Sequence, residues 1–100
     1  MNLEILGYTA GILIIISLIP QLVTIIQNKT AHNISFGMYI ISFISQALWI
    51  SYGLLKWDMA ILATNVGTIT ITILIICFAL YYKINNDIKK DSMKITIEQV

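Results

Sequence analysis

Trp49 and Asn65 stand eight residues before and eight residues after Trp57 in this 100-residue chain, each inside apolar sequence. If the chain turns back on itself at Trp57 as two antiparallel helices, the pair lies at one level, about 12 Å from the turn. An indole there offers a flat apolar plate, and an amide offers two donors and an acceptor. An asparagine so deep in an apolar run faces protein or water rather than lipid. The two groups together suit a ring that carries hydroxyls. Its C–H face stacks on the indole, and its hydroxyls need a partner that both donates and accepts. On residue chemistry alone the pair reads as a sugar site in miniature, with two separate packing contacts as the alternative.

Further polar residues share the spacing. Met38, Ser42, Ser45, Trp49 and Tyr52 follow at intervals of four, three, four and three, and Asn65, Thr68 and Thr72 follow in the same way. Each set falls on one stripe of a helix. Serine and threonine are also common in membrane helices, where they bond backbone carbonyls and allow close approach, so Ser42, Thr68 and Thr72 carry a packing reading as well. No charged residue interrupts the apolar stretches, which leaves no place for a proton or cation to couple to transport. The nucleophile and general-base sets of an enzyme are missing, and the chain is read as a non-enzyme without cofactor or metal. The lone Cys77 reads as a small hydrophobe.

The elements that position these residues are three apolar stretches, Ile5 to Ile26, Phe36 to Leu55 and Met59 to Tyr82. Each is long enough to cross a hydrocarbon core of about 30 Å as a helix. With 58% hydrophobic and 11% charged residues, the chain is too apolar for a soluble domain. The expected fold is an all-α membrane protein, a three-transmembrane-helix bundle over residues 1–83 followed by a polar tail, 84–100. The first stretch exceeds a usual signal-peptide core and lacks a basic residue ahead of it, so no signal peptide is expected. Lys29, Lys83, Lys89, Lys90 and Lys94 fall on one side of the three-span topology and Lys56 on the other. The positive-inside rule then puts the first connection and the C-terminal tail in the cytoplasm and the N-terminus outside. Tyr8, Tyr39, Trp57, Tyr81 and Tyr82 read as interfacial anchors. Both connections are short, so consecutive spans are expected to be antiparallel neighbours.

Pro20 and Gln21 lie inside the first span. Proline removes a backbone donor and clashes with the preceding turn, which reads as a kink or hinge in a helix packed against others. Three helices leave any solute-sized groove open to lipid on one side. Two copies related by an axis along the membrane normal can enclose one, so a parallel homodimer of six helices is expected, with the bilayer and a small sugar as its other partners and no nucleic acid.

The ordered set Gly7-Tyr8, Ser17-Leu18-Ile19-Pro20-Gln21, Asn33-Ile34-Ser35, Met38-Tyr39-Ile40, Leu48-Trp49, Tyr52-Gly53, Trp57-Asp58 and Asn65-Val66 closely resembles the SemiSWEETs. These are bacterial half-transporters of the SWEET sugar family, within the wider PQ-loop group. The resemblance covers roughly residues 5–83. It implies a passive sugar carrier in the bacterial inner membrane that dimerises and works by alternating access. Trp49 and Asn65 match the sugar-contacting pair of that family, and Ser45, Met38 and Ser17 complete the expected substrate-binding set. Pro20 and Gln21 match its hinge on the cytoplasmic half, and Tyr52, Lys56 and Asp58 its extracellular gate. The chain departs from the family pattern at Lys56, often an arginine, and at Ser45-Gln46, where relatives often pair a small residue with an aliphatic one. The second departure bears on pocket volume and sugar preference. The competing functions are a PQ-loop amino-acid exporter, a non-transporting membrane assembly subunit and a holin-like pore.

Overall fold

The computed structural model describes residues 3–32 and 34–99, so Asn33 of the motif ahead of span two lies outside the described residues. Three helices account for nearly all of the described chain: α1 (Leu3–Asn28), α2 (Phe36–Lys56) and α3 (Met59–Glu98). All three are long and apolar enough to cross a membrane. Each contains one of the expected apolar stretches and overruns it, α2 by a single residue and α1 by two at either end.

The largest overrun is in α3, which stays helical through the polar segment to Glu98 and has 40 residues. Asn85, Asn86 and Asp87 are poor helix formers, but a span that is already helical has met the cost of nucleation, so adding residues is cheap. Two contacts tie this extension to the α1–α2 connection. Asn86 Nδ2 donates to the Lys29 carbonyl at 3.4 Å, and Lys83 Nζ stands 5.1 Å from the centre of the Phe36 ring.

The α2–α3 turn is built by two residues. Trp57 takes the left-handed conformation at φ 54° and caps α2 by donating its N–H to the Gly53 carbonyl. Asp58 then caps α3, its carboxylate accepting from Ile61 N at 3.2 Å. At the other end of α2, Ser35 accepts from Met38 N at 3.3 Å.

The spatial order corrects one expectation. No Cα of α1 comes within 8 Å of a Cα of α2 among the described residues, whereas α3 packs against both. The spans lie side by side as α1, α3, α2. The first connection is short, yet its seven residues can reach about 20 Å, more than a helix diameter, so chain length permits the crossing. Residue size decides it. Gly7 faces Ala60, Gly11 faces Thr64 and Gly67 faces Ile15, a parallel contact in which a Cβ on Gly11 would collide with the Thr64 side chain. On the other flank Gly53 brings α2 against the backbone of α3, where a Cβ would sit 3.2 Å from Leu62 N. Small residues on facing stripes let membrane helices approach closely; α1 and α3 share such a stripe, and α2 meets α3 through its own Gly53.

The core lies toward the end that carries the α1–α2 connection. Ile25, Tyr39, Ile75 and Ala79 are buried there, with Leu18, Leu22, Phe36, Ile71, Phe78 and Tyr82 packed around them. Tyr39 is therefore a core residue, only 5% exposed, and not the interfacial anchor expected of it. The interfacial rule gives a ring's depth in the membrane but not its face, and this face of α2 points at α3. Trp57, by contrast, is 79% exposed at the opposite end.

Candidate functional site

Away from that core, the same three helices leave a groove of about 370 Å³, lined by Gly11 and Ile14 of α1, Ile41, Ser42, Ser45, Gln46 and Trp49 of α2, and Thr64, Asn65 and Thr68 of α3. At its floor Gly11 and Thr64 bring α1 and α3 together with no bulk to spare. Trp49 and Asn65 line the same groove, at the common level that their spacing from Trp57 implies.

The groove's polar groups are partly spoken for. Thr64 Oγ1 donates to the Ala60 carbonyl at 2.7 Å, and Thr68 Oγ1 donates to the Thr64 carbonyl at 2.7 Å. These two hydroxyls spend their protons on their own helix, as the packing reading expects. Asn65 Nδ2 donates to the Ile61 carbonyl at 2.9 Å. That bond uses one of two amide protons, fixes the side chain, and leaves the amide oxygen and the second N–H for a ligand. Trp49 is 50% exposed and meets Tyr52 edge to face, with ring centres 5.6 Å apart. The edge contact holds the indole while leaving ring surface open. The groove thus offers an aromatic plate, a half-satisfied amide and two serines, with no charged side chain in its lining.

The structure brings some of the expected substrate-binding residues together and leaves others apart. Trp49, Asn65 and Ser45 share the groove, joined by Ser42. Met38 is one helical turn beyond Ser42 and is exposed. Ser17 is nearly one turn beyond Ile14 and donates its hydroxyl to the Ile14 carbonyl at 2.6 Å. Neither lines the groove. Of the expected gate residues, Tyr52 borders a neighbouring apolar hollow on the outer face of α2 with Ile41, Ile44, Leu48 and Trp49. Lys56 is exposed in the last turn of α2, and Asp58 is the α3 cap. Pro20 and Gln21 lie within α1, which runs helical on both sides of the proline, and the Thr24 hydroxyl bonds the Pro20 carbonyl at 2.8 Å.

Gly11 and Thr64 are groove residues that the polar stripes do not pick out. Gly7 and Gly11, four apart, form a small-residue pair of the kind that brings membrane helices together, and that spacing is the signal that finds Gly11. Gln46 enters the sequence reading only as a departure from a family pattern. The depth argument that selects Asn65 selects this amide as well.

Comparison with known proteins settles the family. A family model for a sugar efflux transporter for intercellular exchange matches residues 1–86. The sugar transporter SemiSWEET of Leptospira biflexa is 35% identical over 81 residues, which cover 81% of this chain and 91% of that protein. The chain belongs to the SemiSWEET family. The crystal structure of a bacterial homologue of SWEET transporters matches at TM-score 0.76 and 30% identity, over 79% of this chain and 95% of that one. A SemiSWEET solved in the inward-open conformation matches in fold at TM-score 0.75 and 22% identity, over 89% and 96%. With three apolar spans, this SemiSWEET-family chain is a multi-pass membrane protein. Every groove residue lies within the matched residues, whereas the last turns of α3 lie beyond them.

Proposed function

We propose that the chain carries mono- or disaccharides across the membrane, down their gradient and by alternating access, as a parallel homodimer. The observation that carries this reading is the groove in which a half-exposed Trp49 stands beside an Asn65 amide with donor and acceptor to spare. Membership of a family whose relatives are named sugar transporters supports the same substrate class. Trp49 stacks on the sugar face, Asn65 bonds its hydroxyls, and Ser45 adds a further hydroxyl. Met38 and Ser17 come into play one turn deeper along the route.

The dimer follows from the groove's open side. A lone protomer would present the Asn65 amide to lipid, where an unmet polar group is costly. A second copy facing the first would enclose the route and double its polar lining. The lysine distribution supports an inner-membrane placement with the N-terminus outside and the 84–100 tail in the cytoplasm, beyond a bundle of residues 1–83. Pro20 and Gln21 then serve as the hinge on the cytoplasmic half, and Tyr52, Lys56 and Asp58 as the extracellular gate. With no charge in the groove, transport is uncoupled.

The test is uptake of labelled glucose and sucrose into proteoliposomes, with and without an imposed pH gradient or potential. Sugar is expected to equilibrate to the same final distribution in every case, in both directions. Accumulation above the external concentration would sink the uniport reading. Absence of any sugar flux would favour an assembly subunit, leakage of a small dye would mark a pore, and a transporting species counted as one subunit would remove the dimer.

A further inference from the structure

Gln46 holds the one buried side-chain oxygen or nitrogen without a hydrogen-bond partner among the described residues, its Oε1. We infer that Gln46 is a further sugar-contacting group, whose side-chain oxygen accepts a hydrogen bond from one particular ligand hydroxyl and so sets which hydroxyl pattern the groove takes. This rests on the transport reading above and names the ligand more closely, as a neutral sugar rather than a sugar acid or sugar phosphate.

The position of the residue carries the argument. Gln46 lies seven residues, two helical turns, from both Tyr39 and Gly53, the two buried residues of α2. It therefore sits on the face of α2 that meets α3, in the wall of the groove. On α3 the Thr68 and Thr64 hydroxyls and one Asn65 N–H are spent on the Thr64, Ala60 and Ile61 carbonyls, and the remaining Asn65 N–H does not bond Gln46 Oε1. A buried carbonyl with no donor is destabilising, and a leucine or methionine would fill similar space without that cost. Packing alone gives no reason for an amide here. A ligand hydroxyl can supply the donor that Oε1 is missing, and turning the amide about its last torsion, a soft one, brings the oxygen to the groove. Because no charged side chain lines the groove, nothing there would compensate a carboxylate or phosphate brought out of water. Two amides from two different helices, set beside one indole, instead fix two hydroxyls of one neutral ring.

The experiment uses full-length wild type and Q46L in proteoliposomes, with exchange of whichever labelled hexose the wild type carries best. Unlabelled hexose and its monodeoxy analogues, one for each hydroxyl, serve as competitors. In wild type one analogue is expected to compete about tenfold more weakly than the parent on account of Gln46. In Q46L that ratio should fall to near one, while the ratios for hydroxyls held by other groups persist. Q46M is run in parallel, and thermal unfolding of both purified variants reports folding. Unchanged ratios in a folded variant, above all in one more stable than wild type, overturn the inference and return Gln46 to packing or a trapped water, with the transport reading intact. No flux of any sugar by wild type overturns both.

Discussion

The two halves of the bundle use the same three helices and opposite contact chemistry. Toward the α1–α2 connection, Leu18, Leu22 and Ile25 of α1 and Phe36 and Tyr39 of α2 close around Ile75 and Ala79 of α3. In the other half α1 meets α3 through Gly7 and Gly11, and α2 meets it through Gly53. Glycine contacts bring backbones together but add no side chain of their own to span the space between α1 and α2. The groove opens where the large residues stop. Helix contact and closure are thus separate properties here: small residues in one half supply contact without closure, and large ones in the other supply both.

Substitutions in the two halves should therefore fail differently. Trp49→Ala and Asn65→Ala are expected to abolish most sugar flux, the largest effect, while insertion and dimerisation persist. In a symmetric dimer each change removes two contacts, and a buried hydrogen bond left unmet costs about 1–3 kcal/mol, so binding falls by orders of magnitude. Proteoliposome uptake checks this. Wild-type flux from either variant would make both residues packing contacts and remove the functional half of the comparison.

Ile75→Ala should do the reverse. Ile75 is fully buried, and truncating such a side chain costs about 2–5 kcal/mol. The expected result is a clearly lower unfolding temperature for the purified protein with little change in sugar affinity for the folded fraction. A large affinity loss at unchanged stability would mean that the closed half also shapes the site.

Pro20 lies in the closed half, between Leu18 and Leu22 and beyond Ile14 at the groove. Its missing N–H leaves the Ile16 carbonyl without its helical partner, a soft point in an otherwise continuous α1. Pro20→Ala restores the donor and stiffens the joint. Exchange is expected to slow several-fold, with sugar affinity altered less than in Trp49→Ala. Equal loss of rate and affinity would tie the proline to the open, binding half instead.

How much of this is legible in the sequence depends on which physical constraint acts. The bilayer dictates span length, so all three spans can be read from apolar runs alone, and the common level of Trp49 and Asn65 follows from their distances to Trp57. Which helix lies in the middle is not dictated by length, because the first connection can reach over a neighbouring helix. The Gly7–Gly11 spacing carries that information, but only once the facing Ala60 and Thr64 are known. Tyr39 misleads because tyrosine is at home both at an interface and in a core, and depth does not tell the two apart. The helical state of the segment after Tyr82 is hidden for another reason. Its composition resembles a solvated tail, and its conformation is inherited from the span before it.

The smallest expected effect concerns Asp58, where one carboxylate has two roles. In the fold it caps α3 through Ile61 N. In the proposed dimer it faces Lys56 of the second copy when the outer ends tilt together. Asparagine caps about as well as aspartate, whereas losing the cap costs about 1 kcal/mol, so Asp58→Asn removes the charge alone and Asp58→Ala removes both functions. An exposed ion pair contributes at most about 1 kcal/mol and weakens with salt, which biases a conformational equilibrium without locking it. The readout is labelling of a thiol introduced by Tyr52→Cys in a Cys77→Ser background. If the pair forms, Asp58→Asn raises accessibility by a few-fold at low salt, and high salt gives the parent protein a similar increase. If Asp58 acts only as a cap, Asp58→Asn matches the parent at every salt concentration and only Asp58→Ala departs from it. The open half would then have no electrostatic closure of its own.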